Sequence, residues 1–214
     1  MVSRMKKSSD EILDILETMF PQAECELKHD STFQLLIAVI LSAQTTDASV
    51  NKVTPFLFAE YPDAYALAKA DVKEVEARIR NIGLYRNKAK NIIECAKEIV
   101  ERFHGEVPNN RKDLMSLSGV GRKTANVVLS VAFDVPAIAV DTHVERISKR
   151  LGLAKPSDHV EDVEEKLKRK LKRERWNRAH HLFIFFGRYF CTAKNPSCSQ
   201  CPFVDMCKEK KKNL

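Results

Sequence analysis

Apolar residues recur along this chain at intervals of three and four, the spacing that gathers them on one face of an α-helix. Ile12, Leu13, Leu16 and Met19 form the first such stripe, with Ser8 or Ser9 placed to cap it and Pro21 to close it. From Thr32 a second run, Phe33, Leu35, Leu36, Ile37, Val39, Ile40 and Leu41, is apolar on most sides, as expected of a helix buried inside a domain. It turns polar at Ser42-Ala43-Gln44-Thr45-Thr46-Asp47, where Thr46 or Asp47 caps a third helix through Phe56 and Leu57. Pro62-Asp63 opens a short helix to about Ala70, and residues 72–82 form another. Beyond Gly83-Leu84-Tyr85 a helix is expected over residues 87–103, ended by Pro108. Two more fall within residues 111–133, one over 141–151, one from Pro156-Ser157-Asp158 to about residue 172, and a last over 176–189. No stretch alternates with the period of a strand, so the pattern predicts an all-α fold.

Length and charge narrow the class without fixing it. With 214 residues the chain can bury a substantial core as one domain or two small ones. Its longest uncharged stretch, residues 31–46, is too short and too polar to span a bilayer. The opening MVSRMKKSSDEIL lacks the apolar segment of a secretory signal, so a cytoplasmic protein is expected, with no membrane partner. A net charge of +7 favours a polyanionic partner. Basic residues collect at Arg4, Lys6 and Lys7, through residues 166–178, and over 208–212. The neighbouring Glu161, Asp162, Glu164, Glu165 and Glu174 make much of the middle block an ordinary solvated helix face.

Two stretches carry chemistry. In Leu117-Ser118-Gly119-Val120-Gly121 two glycines sit two residues apart, before the helical run from Thr124 to Leu129. Such a turn is either a plain helix–helix connection or a cradle whose backbone N–H groups suit a phosphate oxygen. Arg122 and Lys123 follow in the first helical turn, where the positive end of the helix dipole disfavours a charged amine. Eighteen positions after Lys123, Asp141 follows Ile138-Ala139-Val140 and is placed to cap the helix beginning at Thr142-His143. The other stretch is the cysteine cluster Cys191, Cys198, Cys201 and Cys207, spaced C-x6-C-x2-C-x5-C. In a cytoplasmic protein such density argues for metal rather than disulfides, and four thiolates suit zinc or an iron–sulfur cluster. Cys25 and Cys95 stand apart as apolar residues. The segment GLYRNKAKNII weakly echoes GVGRKTANVV, as a degenerate second hairpin would.

LSGVGRKTANVVL followed by VDTHV resembles the helix-hairpin-helix and catalytic segment of the endonuclease III family of DNA glycosylases. The resemblance implies that Lys123 is the nucleophile and Asp141 the essential carboxylate. The cysteine spacing is similar to that family's [4Fe–4S] loop, which makes the four cysteines its ligands. LSAQTTD and NIGLYRNKA resemble the segments that fill the gap left by an extruded nucleotide. That assigns Gln44 to the orphaned partner base and Leu84, with Ile82, to the lost stacking. Gly119, Val120, Gly121 and Arg122 then line the phosphate hairpin. The family's architecture implies a six-helix barrel over residues 25–133 and a cluster-bearing lobe joining residues 1–24 to 134–214. Lys123 and Asp141 would face one another across the groove between the lobes.

The implied function is a base-excision glycosylase that removes oxidised pyrimidines from duplex DNA and nicks the strand through a lysine Schiff base. Its partner is double-stranded DNA carrying damaged bases or abasic sites, bound by a monomer at the nucleoid. The lysine must be neutral to attack, and desolvation, the helix dipole and Arg122 all favour that form. An adenine- or thymine-mismatch glycosylase of the same superfamily is the nearest alternative, against which Lys123 and the short chain count. A noncatalytic, metal-stabilised DNA-binding module explains the hairpin and cysteines but leaves the Lys123–Asp141 pair without a purpose. An electron carrier explains the cluster alone.

Overall fold

In a computed structural model describing residues 7–214, the described residues form helices and turns and no strand. Arg4 and Lys6 of the basic N-terminus lie outside the described residues. The chain divides into two compact units, one of Cys25–Val135 and one joining the N-terminal segment through Glu24 to Pro136–Leu214.

The first unit contains α2 (Thr32–Leu41), α3 (Asp47–Glu60), α4 (Ala64–Ala68), α5 (Val72–Ile79), α6 (Tyr85–Phe103), α7 (Arg111–Met115) and α8 (Arg122–Phe133). Five of them begin at a side-chain cap: Ser31, Thr46, Asp63, Asp71 and Asn110 each accept an N–H from the first turn. As its composition demands, α2 is buried from Phe33 to Leu41 and packs on α8, α3 and α6. Helix α6 supports α4 and α5 on its other flanks. Two boundaries differ from expectation. The chain leaves α5 at Ile79 rather than Ile82, and a turn from Ile82 N–H to the Ile79 carbonyl (2.9 Å) tucks Ile82 into the core. Helix α6 starts two residues early because Leu84 takes a left-handed conformation (φ 60°) and serves as its N-cap.

The second unit holds α1 (Ser9–Met19), α9 (Thr142–Arg150), α10 (Val160–Lys170) and α11 (Trp176–Phe185), the last continuing as one wider turn over Phe186–Phe190. Ser8 caps α1 in a reciprocal capping box with Glu11. The core gathers Ile12, Leu16, Val144, Ile147, Leu167, Leu182, Phe183 and Phe186. Arg178 ties the early chain to α11: its guanidinium donates to both Glu17 carboxylate oxygens (2.6–2.9 Å) and to the Phe20, Pro21 and Ala23 carbonyls. That pairing holds the Glu17 carboxyl below its ordinary range. Phe183, Phe185 and Phe186 are buried in that core, whereas Tyr189 is exposed.

Gly119 (φ +77°) is a position only glycine fits well, since an added Cβ would lie 3.1 Å from Asn91 Cβ and 3.2 Å from Ile40 Cγ2. Gly121 has an ordinary φ of −91° and open space where a Cβ would go. Gly119→Ala should therefore cost roughly 1–3 kcal/mol of stability. Gly121→Ala, an N-cap change without strain, should cost less than about 1 kcal/mol. Urea unfolding followed by circular dichroism checks the ranking; equal losses would contradict it.

Candidate active site

The glycine hairpin is held from two sides. Ser118 donates its N–H to Glu98 Oε2 (2.7 Å) and its hydroxyl to Oε1 (3.2 Å), fixing the turn to α6. Val120 N–H closes on the Leu117 carbonyl at 3.1 Å, and the Val120 side chain is buried. Val120 is thus a structural residue of the turn rather than part of its outer surface. Gly121 is the N-cap of α8 and offers no side-chain cap. The first backbone N–H groups of a helix have no intrahelical acceptor, so this end is suited to an anion. Arg122 and Lys123 are the first two helical residues, and Lys123 is exposed. Burial therefore does not desolvate Lys123 in the free protein, contrary to expectation.

Asp141 is the N-cap of α9 as its sequence position suggests. Its Oδ1 accepts the N–H groups of His143 (2.9 Å) and Val144 (2.8 Å). Both bonds fall on one oxygen, so Oδ2 is outside the cap and capping does not consume the carboxylate. His143 contributes its backbone to the cap, and its Nδ1 lies 3.3 Å from Arg146. Helix α9 approaches α11 where the chain has Gly187: a Cβ there would sit 3.0 Å from His143 Cβ and 3.1 Å from Ile147 Cγ1. The wide turn over Phe186–Phe190 frees the Gly187 carbonyl, which accepts from Arg146 Nη2 at 2.7 Å.

Gln44 and Leu84 share a feature that sequence alone did not show. Both are non-glycine residues in the left-handed region, at φ 55° and 60°, and both are exposed. Leu84 is 60 % exposed, so its side chain is held out from the fold by its left-handed backbone rather than by packing. Ile82, expected beside Leu84 at the interface, is instead 1 % exposed and belongs to the core. The GLYR segment is not a copy of the glycine hairpin, because its left-handed residue is Leu84 where the hairpin uses Gly119.

Cys191, Cys198, Cys201 and Cys207 lie on one loop as free thiols. Phe203 anchors that loop in the core, edge-on to Phe186 with ring centroids 5.5 Å apart. Lys208 N–H closes it onto the Arg150 carbonyl (2.7 Å). Arg150 Nη1 donates to Cys191 Sγ (3.3 Å) and to the Thr192 carbonyl (2.9 Å). Burial pushes the Cys201 thiol up to about 11, and the other three sulfurs add to this. Four free thiols on one loop, with an arginine beside one of them, fit a group that binds thiolates and carries negative charge. Among the described residues no three Cys, His, Asp or Glu gather into a cage for a single ion. Cys95 is fully buried, its thiol pushed up to about 12 by that burial, while Cys25 is half-buried.

Sequence reasoning missed Glu98, Arg146, Arg150 and Lys88. Lys88 carried one local signal: it lies on the apolar stripe of α6 with Ala89, Ile92 and Ile99, where a charge is out of place.

A family profile described as the HhH-GPD superfamily base excision DNA repair protein matches residues 37–173. The described helices and hairpin define that class. A second profile, the iron-sulfur binding domain of endonuclease III, matches residues 191–207. Endonuclease III of Bacillus subtilis is 54 % identical over 200 residues, 94 % of this chain and 91 % of the relative. That of Escherichia coli K12 is 46 % identical over 202 residues, covering 94 % and 95 %. A solved structure of a trapped endonuclease III–DNA covalent intermediate superimposes with a TM-score of 0.92 at 52 % identity, covering 98 % of this chain and 97 % of that one. The chain belongs to the endonuclease III family. It is accordingly a DNA glycosylase and abasic-site lyase with a [4Fe–4S] cluster, and the four clustered cysteines are the thiol set that fits it. No described helix is long and apolar enough to cross a membrane.

Purified protein should be yellow-brown, with iron and acid-labile sulfide in equal amounts. Cys201→Ala should lose that colour and leave residues 191–207 open to proteolysis, because cluster binding and folding of the loop are coupled. Metal and sulfide analysis with limited proteolysis is the check; a coloured, resistant variant would remove Cys201 from the ligand set.

Proposed function

We propose that this enzyme excises oxidised pyrimidines from duplex DNA as a monomer and then cleaves the strand, with Lys123 as nucleophile and Asp141 as its carboxylate. The observation that carries the reading is the exposed Lys123 on the first turn of α8, directly after a glycine hairpin suited to a phosphate. The solved relative captured as a DNA covalent intermediate supports a covalent route.

In this route neutral Lys123 Nζ forms a bond to C1′ of the damaged nucleotide while the glycosidic bond breaks. The base leaves with that electron pair and takes a proton. Opening of the sugar ring gives an iminium between Nζ and C1′. Loss of a C2′ proton then pushes electrons toward the iminium and expels the 3′ phosphate by β-elimination. Because Lys123 is exposed in the free protein, bound DNA supplies the water exclusion that favours the neutral amine. Asp141 takes the proton released from the lysine and offsets positive charge on the sugar, using the oxygen that the helix cap leaves over. Cys191, Cys198, Cys201 and Cys207 would hold the [4Fe–4S] cluster, which would order the C-terminal loop when bound.

The hairpin at Gly119 and Gly121, with Arg122, holds the DNA backbone, a contact that positions without reading sequence. Gln44 and Leu84 fill the space of the extruded nucleotide. Glutamine can hydrogen-bond the orphaned partner base and leucine replaces its lost stacking. Ile82 supports this segment from the core.

Lys123→Gln should fold and bind lesion DNA, yet lose nicking and borohydride trapping by roughly three orders of magnitude or more. Trapping at the wild-type rate would remove Lys123 from the mechanism. Gln44→Ala and Leu84→Ala should each slow base removal from a lesion duplex about tenfold, the equivalent of ~1.4 kcal/mol. Nicking at a preformed abasic site should suffer less, since no base has to be extruded. Single-turnover rates on the two substrates decide it, and equal losses would refute the wedge.

A further inference from the structure

Lys88 is 5 % exposed and forms no ion pair among the described residues. An ammonium group has three protons, and a buried one must place all of them. Here Nζ donates to the Leu41 carbonyl (2.9 Å), the Ala43 carbonyl (2.6 Å) and Thr45 Oγ1 (2.9 Å). Leu41 is the last residue of α2, whose terminal carbonyls lack helical partners and carry the negative end of the dipole. Ala43 and Thr45 flank Gln44 on either side. The cation therefore grips the chain immediately before and after a residue held in the left-handed region (φ 55°). Burial lowers the Lys88 pKa from its ordinary value, and no neighbouring charge is among the causes.

The same residue is tied to the second left-handed position. Lys88 N–H donates to the Leu84 carbonyl (3.1 Å), one turn into α6 from its unusual cap. The turn before it packs on the Gln44 segment, since a Cβ on Gly83 would lie 3.9 Å from the Gln44 carbonyl and 4.0 Å from Thr45 Oγ1. The Lys88 side chain thus joins the start of α6, where Leu84 stands, to the residues on either side of Gln44, 40 positions away in sequence, while its N–H makes the ordinary first-turn bond of the helix. Strained, non-glycine conformations persist only where surroundings over-determine them, and the Lys88 side chain supplies that constraint around Gln44, from the helix that Leu84 begins.

We propose that Lys88 is a positioning residue that holds Gln44 and Leu84 in register as a single wedge, so that its loss impairs extrusion of the base rather than cleavage of bonds. This rests on the assignment of Gln44 and Leu84 to the vacated nucleotide space. Lys88 is buried and touches no DNA itself; it acts through the Gln44 segment. Its stem matters less than its charge, because only a cation can satisfy three oxygen acceptors from one position.

The test compares the cluster-bearing wild type with Lys88→Met, Gln44→Ala and the double variant. Each is assayed in single turnover on a duplex with one thymine glycol and on the same duplex with a preformed abasic site. A 2-aminopurine opposite the lesion reports exposure of the partner base. Lys88→Met should slow base removal about tenfold, slow abasic-site nicking less than about twofold, and abolish most of the fluorescence rise. Added to Gln44→Ala it should cost no more than about a further twofold, because both changes disable one contact. Wild-type base removal by Lys88→Met, equal losses on both substrates, or fully multiplicative effects would overturn the inference. If Gln44→Ala itself removes bases at the wild-type rate, the wedge assignment fails instead, whatever Lys88→Met does. Should Lys88→Met not fold with its cluster, Thr45→Val removes one acceptor only. About a threefold loss confined to the lesion duplex supports the inference, and none or an equal loss on both substrates overturns it.

Discussion

The end of an α-helix leaves backbone groups without partners, and something must satisfy them. In this protein the candidate chemistry is assembled from those ends. The α8 N-terminus opens at a glycine with no capping side chain, which leaves its N–H groups to suit an anion. The α9 N-terminus is capped by the carboxylate assigned to catalysis, through one of its two oxygens. The α2 C-terminus is closed by a lysine reaching from another helix. Leu84 caps α6 through its backbone alone, with its side chain left exposed. Helix termination thus accounts for the placement of all four groups: the exposed Gly121 end, the half-buried Asp141, the buried Lys88 and the exposed Leu84.

Helix α6 has a central part in the first unit. From its N-terminal end it presents Leu84, with Lys88 it holds the Gln44 segment, and with Glu98 it fixes Ser118 of the hairpin. Asn91, between them, packs closely on Gly119, where an added Cβ would lie 3.1 Å from its own Cβ. A nineteen-residue helix is stiff over its length, so the proposed wedge and the phosphate hairpin keep a fixed spacing on it. In the second unit Gly187 plays a comparable part. Its missing side chain lets α9 approach, and its carbonyl takes the Arg146 guanidinium. The thiol loop is then tied to α9 through Arg150.

Much of this was legible in the chain itself, for local reasons. Helix periodicity and capping residues are short-range properties, so Ser8, Thr46, Asp63 and Asp141 announce helix starts before any tertiary contact forms. The cysteine spacing and the Gly119-Val120-Gly121-Arg122-Lys123 run are equally local, and both fall within the segments the family profiles match, residues 191–207 and 37–173. Tertiary structure decided what depends on partners far along the chain. Ile82 and Leu84 look alike in sequence, yet one is core and the other exposed, because a single turn after α5 rotates them apart. Lys88 hints at burial only by lying on the apolar stripe of α6, and its three acceptors arrive when α2 and its following loop fold over it, 43 to 47 residues away. Arg150 meets Cys191 at 41 residues' separation, and no local pattern encodes that meeting. Backbone propensity and capping act within a turn or two and can be read from neighbours; burial and long-range hydrogen bonding are set only when the helices pack.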